Sequence, residues 1–177
     1  MKQLNGRIMS RSPQAVANYF LDRADAESVS ITPLKLVKLV YIAYGWFLAL
    51  TGEKLFREQT EAWKHGPVVP SIYHEFKKFG DQPITQRATK FDFETFEGTA
   101  PRVDSNDEIT LLILDKVWAA YKRFPAWSLR NKTHEPDTPW YKVYRPGEHG
   151  ITLADDDIRE HYRSKIRQYV EGAQRAA

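Results

Sequence analysis

From Ser12 onward the apolar residues Val16, Tyr19, Phe20 and Ala24 fall at helical spacing on an otherwise polar segment. Ser12 followed by Pro13 is a helix start, since proline suits a first turn that has no use for its missing N–H. Thr32 and Pro33 repeat the signal. From Leu34 to Leu50 almost every position is apolar, with Lys35 and Lys38 the exceptions. A helix apolar on all sides is buried on all sides. Residues 34–50 are therefore expected to form the central helix, with Lys35 and Lys38 at its wetter end. Gly45 costs such a helix about 1 kcal/mol against alanine, so another element is expected to approach closely there. Gly52 is the stop signal.

Residues 55–63 read as one or two short strands. His65-Gly66-Pro67-Val68-Val69-Pro70 reads as a rigid turn feeding a third helix. Ile72, Tyr73, Phe76 and Phe79 are that helix's stripe, and Gly80 ends it. Residues 81–104, rich in Pro, Gly, Thr and Asp, form a long excursion with room for a hairpin. Ser105 and Glu108 match a capping box. It opens a fourth helix through Phe124. Ile109, Leu112, Val117, Ala120, Tyr121 and Phe124 point inward, and Leu111, Leu114 and Trp118 make a second stripe, so this helix is expected to be deeply packed. Residues 126–133 form a short helix and Pro139-Trp140-Tyr141 opens another turn. A last amphipathic helix runs from Asp155 to about Ala173, with Ile158, Tyr162, Ile166, Tyr169 and Val170 on one face. The fold class is mainly α: a single compact helical domain over 1–177 around the buried helix 34–50, with a small β element. About the first eleven residues are expected to be a flexible extension.

Composition removes several function classes. The chain has no cysteine, which excludes disulfides and thiolate metal sites and fits a reducing compartment. The first residues lack the apolar run of a signal peptide. The run Leu39–Leu50 falls short of the ~20 residues needed to cross a bilayer. A cytoplasmic protein without membrane contact is expected. The formal charge of +3 is spread along both halves with acids interleaved, a weak case for nucleic acid. In the last helix Asp155, Asp156, Asp157 and Glu160 lead and Arg163, Lys165 and Arg167 follow, as a helix dipole favours.

Catalytic and metal patterns are missing from the sequence. No G-x-S-x-G, Walker or G-x-G-x-x-G pattern occurs. His65, His74, His134, His149 and His161 lack paired-ligand spacing. Asp104, Asn106, Glu108 and Asp115 imitate calcium-loop ligands, but Ile109 stands where that loop needs glycine. No cofactor and no metal are expected.

Two loop clusters stand out instead. Trp63, His65, Gly66, Pro67 and Pro70 lie within eight positions, and Thr133, His134, Pro139 and Trp140 form the second. Pro and Gly fix the backbone there, while Trp and His present large rings with one polar edge. Such rings either pin loops onto the core or build a preformed contact surface of the kind that carries binding energy. The nominated contact residues are Trp63, His65, Pro67, Val68, Pro70, Tyr73, His134 and Trp140.

The run Ile31-Thr32-Pro33-Leu34-Lys35-Leu36-Val37-Lys38-Leu39-Val40-Tyr41-Ile42-Ala43-Tyr44-Gly45-Trp46 resembles the first helix of the Panacea domain, the SocA-like antitoxin domain. The resemblance continues through Leu55-Phe56, Glu61-Ala62-Trp63-Lys64-His65-Gly66-Pro67-Val68-Val69-Pro70, Ile72-Tyr73 and Phe76. Leu129, Thr133-His134 and Pro139-Trp140 follow in the family's order, so that about 17–162 is covered. Arg130-Asn131-Lys132 departs from the pattern, which often has serine before the Thr-His pair.

The resemblance implies an antitoxin: a protein that binds and blocks a protein toxin, usually encoded beside it. Family members pair with unrelated toxins, and some relatives are carried by phages. It implies no catalytic residue. Direct occlusion of the toxin is the first reading. Handing the toxin to an ATP-dependent protease is the second, and it needs a second surface. A nucleic-acid-binding regulator is the third. An enzyme built on His65, His134 or a carboxylate pair is the fourth.

Overall fold

The computed structural model describes residues 11–92 and 96–176. The expected flexible extension lies outside them except for Arg11, and Phe93 of the excursion lies outside them too. Arg11 itself is buried, with its Nε 2.9 Å from Asp107 Oδ2.

Among the described residues, seven α-helices and two two-stranded antiparallel sheets make a mainly α fold. Helix α1 (Pro13–Ala26) starts as expected, with Ser12 Oγ accepting from Ala15 N at 3.1 Å. Helix α2 (Pro33–Thr51) is the core. Leu36, Leu39, Val40 and Ala43 are fully enclosed, and Gly52 closes the helix at φ 75°. By length and composition alone α2 could cross a membrane, but most of it is buried inside this fold, as in the core helix of a folded protein. Thr32 precedes it without a side-chain capping bond.

Hairpin strands β1 (Glu61–Trp63) and β2 (Gly66–Val68) follow α2. Half of the segment expected to be a rigid turn, Gly66–Val68, is thus strand, and Lys64 and His65 turn the chain. Beyond it run α3 (Pro70–Phe76), a 3₁₀ turn (Lys77–Phe79) and a second hairpin, β3 (Lys90–Asp92) with β4 (Glu97–Thr99). The excursion is tied down by Asn18, fully buried on α1. Its amide donates to Ala88 O (2.9 Å) and Pro101 O (3.0 Å), and its Oδ1 accepts from Ala88 N (2.8 Å).

Helix α4 (Glu108–Tyr121) packs on α1 and α2. Its cap is Asp107, whose carboxylate accepts from Thr110 N at 3.4 Å, rather than Ser105. Thr110, Ile113, Leu114, Val117 and Trp118 face the core. Ile109, Leu112 and Ala120, expected inward, are exposed, so this helix buries one side. Helices α5 (Ala126–Thr133) and α6 (Pro139–Val143) come next. Helix α7 (Asp155–Ala176) lies along α2. Tyr162 sits over Gly45: a Cβ there would lie 2.6 Å from its Cζ and closer still to Cδ2 and Cε2. The glycine therefore makes room for a ring, the close approach its position predicts. Ile158 and Tyr162 are buried, whereas Tyr169 and Val170, expected on the buried face, are exposed as α7 runs past its partners.

Candidate functional site

The β1–β2 hairpin pairs Glu61 with Val68, Ala62 with Pro67 and Trp63 with Gly66. The segment after α6 occupies the outer edge of β1: Ala62 N donates to Ile151 O (2.8 Å) and Leu153 N to Thr60 O (2.9 Å), with a bridge between Glu61 and Thr152. On the inner side Gly66, at φ 101°, is hemmed in. A Cβ there would lie 2.7 Å from Thr133 Oγ1, 2.8 Å from Lys38 Nζ and 3.0 Å from His134 Cε1. Strain and space both demand glycine.

Lys38 corrects the expectation of a wet helix end. It is fully buried, and its ammonium donates to Pro67 O at 2.9 Å. Burial first, and then the positive charge of Arg130, hold its pKa down to about 7. Lys35 is also buried and donates to Lys122 O at 2.5 Å. Both lysines reach backbone carbonyls of elements that fold over α2.

His134 and Trp140 lie behind the hairpin. The Trp140 indole donates to Trp63 O at 2.8 Å, and its ring sits between His134 (centroids 3.8 Å apart) and Tyr144 (4.5 Å, stacked). His134 Nδ1 lies 2.7 Å from Arg130 O, and since a carbonyl can only accept, that nitrogen carries the proton. Desolvation lowers the pKa of His134, outweighing its backbone bonds, and desolvation followed by Arg130 lowers that of His65.

In front of the hairpin lies a groove of about 550 Å³ between α2, the hairpin, α3 and α5. Trp63, His65, Val68 and Tyr73 line it, joined by Leu34, Val37 and Trp127. Trp63 meets Tyr73 edge to face (4.9 Å), and its indole donates to Glu61 Oε2 at 2.8 Å. Trp127 is 58% exposed, stands perpendicular to His65 at 6.1 Å and lies under the Arg130 guanidinium. The groove's charged lining is Lys38, Lys64 and Lys77 against Asp81. Among the described residues no group of three His, Asp or Glu side chains is placed to hold a metal ion. An apolar, ring-lined cleft with few polar groups suits binding.

The profile described as "Antitoxin SocA-like, Panacea domain" matches residues 36–141. The chain belongs to that family. Antitoxin SocA of Caulobacter vibrioides (strain NA1000 / CB15N) is 33% identical over 167 residues, 92% of this chain and 88% of that protein. No solved structure matches. The Panacea match begins inside α2 and ends in α6, so it encloses Lys38, the hairpin, α5 and Trp140.

The structure divides the nominated residues of this Panacea domain into two sets. Trp63, His65, Val68 and Tyr73 converge on the groove. Pro67 is buried beneath it, Pro70 starts α3, and His134 with Trp140 hold the hairpin from behind. Sequence reasoning did not single out Trp127, Leu34, Lys64 or Lys77 for this surface. Trp127 carried a signal, a lone tryptophan on a short polar helix with no apolar stripe to join. The lysines carried none. On α7, Arg159 and Arg167 pair with Asp156 and Glu160.

Proposed function

We propose that this chain is an antitoxin that silences a protein toxin by binding it directly, and that the hairpin groove receives the toxin. The observation that carries the reading is the groove itself, with its rings already in place. Trp63, fixed through its own carbonyl and its indole, forms one wall, and the exposed Trp127 forms another. Rings held before binding lose little conformational freedom on association, and Trp and Tyr dominate binding hot spots. Membership of the antitoxin family supports the same reading, in which the protein acts without a catalytic step of its own.

The partner is a protein toxin encoded beside this gene. The test is to induce the neighbouring open reading frame with and without this chain, then to chromatograph the co-expressed pair. Growth arrest that this chain relieves, with co-elution, is expected. A tight complex would bury on the order of 1,600 Å². Two separate peaks overturn direct binding.

A second reading, an adaptor that delivers the bound toxin to a protease, draws on a second apolar surface. Leu50 and Leu112 stand exposed beside Trp46 and Ala120 around a shallow cleft of about 370 Å³ on α2 and α4. That cleft shares no lining residue with the hairpin groove, so both could be occupied together.

A further inference from the structure

Among the described residues no carboxylate pairs with the buried lysine beneath the groove. Lys38 is fully enclosed, and one carbonyl, Pro67 O, accepts from its ammonium. Among the described residues, the charged group that bears on it is Arg130, which repels it. The hairpin's own carboxylates are engaged: Glu61 accepts from the Trp63 indole, and Glu58 Oε1 accepts from Ser71 N (2.8 Å) at the start of α3. Lys64 and Lys77 add positive charge at the rim, and Asp81 is the acid among the lining residues.

A buried ammonium without a counter-charge is costly, which is why its pKa falls to about 7, and a carboxylate brought close would favour the charged form. Its bond to Pro67 O holds the hairpin and uses one of its three donors. Its potential also reaches the groove, because low-dielectric walls focus the field of a charge. The remaining lining is apolar and aromatic.

We propose, resting on the antitoxin reading, that the groove takes a partner segment pairing an apolar side chain with an acidic one. The apolar side chain lies between Trp63 and Trp127, and the carboxylate faces the Lys38 and Lys64 end. The partner's chemistry is thus an acidic, aromatic- or aliphatic-bearing stretch of protein.

The probe is a displayed library of random short peptides selected on the full chain. Enriched peptides are expected to carry Asp or Glu beside Trp, Phe or Leu, and to lose binding to a Tyr73→Ala/Trp127→Ala variant. The best peptide and its Glu→Gln or Asp→Asn form are then titrated onto wild type and Lys38→Met. The amide form should bind wild type roughly tenfold more weakly, the low end for a close charge pair. That difference should shrink severalfold on Lys38→Met, a coupling read by the double-mutant cycle. Replacing the acid alters only the peptide, so the result stands even if Lys38→Met folds poorly. No enrichment, enrichment without acids, equal affinity of acid and amide forms, or undiminished binding to the double-alanine variant each overturns the proposal. The growth test fails independently. A harmless neighbour with an acid-selective groove removes the toxin and leaves the groove chemistry, whereas relief of arrest with a charge-blind groove does the reverse.

Discussion

Replacing Gly45 with alanine separates two effects of opposite sign. In an ordinary helix interior the change stabilises by about 1 kcal/mol, because alanine restricts the unfolded chain and favours the helix. Here the new methyl would fall within 2.6 Å of Tyr162 Cζ and still nearer two other ring carbons. The ring cannot slide away freely. It is 4% exposed and meets Trp46 edge-on at 5.2 Å and Tyr41 at 6.3 Å. Overpacking of this kind costs roughly 1–3 kcal/mol if the core yields. Displacing the ring costs roughly 3–5 kcal/mol, as for removal of a buried aromatic. After subtracting the propensity gain, about 0–2 kcal/mol of destabilisation remains if the core yields and about 2–4 kcal/mol if the ring is displaced, the latter roughly 4–16 °C in Tm for a chain of this size. Urea denaturation followed by circular dichroism reads the difference. A companion measurement fixes the cause: in a Tyr162→Ala background the clash is gone, so Gly45→Ala should turn neutral or stabilising. A Gly45→Ala protein more stable than wild type by the ~1 kcal/mol of an unobstructed helix would refute the account of α7 docking through this notch.

Other outcomes follow from the same geometry. Trp140→Phe leaves the Trp63 carbonyl without its 2.8 Å donor, a loss of about 1–3 kcal/mol visible as a lower urea midpoint; an unchanged midpoint contradicts the hairpin-pinning role. Asp107→Ala removes the α4 cap and the nearer of two carboxylates beside the buried Arg11, leaving Glu53, and should cost about 1–3 kcal/mol, whereas Ser105→Ala should cost almost nothing; equal effects in thermal melts would restore the capping-box reading. Because burial depresses the pKa of Lys38 to about 7 from 10.5, the unfolded chain holds a proton that the folded chain has released between those values. Stability should therefore climb from about pH 7.5 to 9.5, by on the order of a few kcal/mol, and Lys38→Met should reduce the climb. Lys35, lowered by burial as well, adds to the climb with the same sign, so part of it should survive in Lys38→Met; His65 and His134, lowered by desolvation, act below the window, and Tyr41, Tyr44 and Tyr162, pushed upward by burial, act above it. Leu112→Glu should leave toxin binding intact under either reading; toxin half-life in cells lengthened by this change would favour the adaptor.

Local signals were most legible where one residue type answers one geometric need. Ser12-Pro13, Gly52 and the all-apolar run after Pro33 each mark a helix boundary or a core, and the structure follows them. Gly45 even announced a close neighbour, although nothing in the sequence said that Tyr162 would be it. Where the outcome depended on partners distant in the chain, the pattern misled. Lys38 looks like the wet edge of a helix until a hairpin nearly thirty residues later folds over it and offers the Pro67 carbonyl. Ser105 and Asp107 can both cap, and Arg11, far off in sequence, settles the choice. Ile109 and Leu112 have the spacing of core residues, but α1 and α2 cover only one side of α4. The groove has the same origin, since its walls come from α2, the hairpin, α3 and α5, and no local window contains them together.

The segment at 151–153 that lies along β1 also limits how anything can attach to this sheet. An open strand edge invites another chain to join by backbone pairing, which is largely indifferent to sequence and is a common route to aggregation. Here the outer edge of β1 is already hydrogen-bonded to Ile151 and Leu153, and β2 is buried. Strand addition is closed off at both edges. Whatever docks at the groove must be recognised by the shape and charge of its side chains, so under the proposed reading a change of partner calls for new residues in the groove lining and leaves the backbone frame as it is.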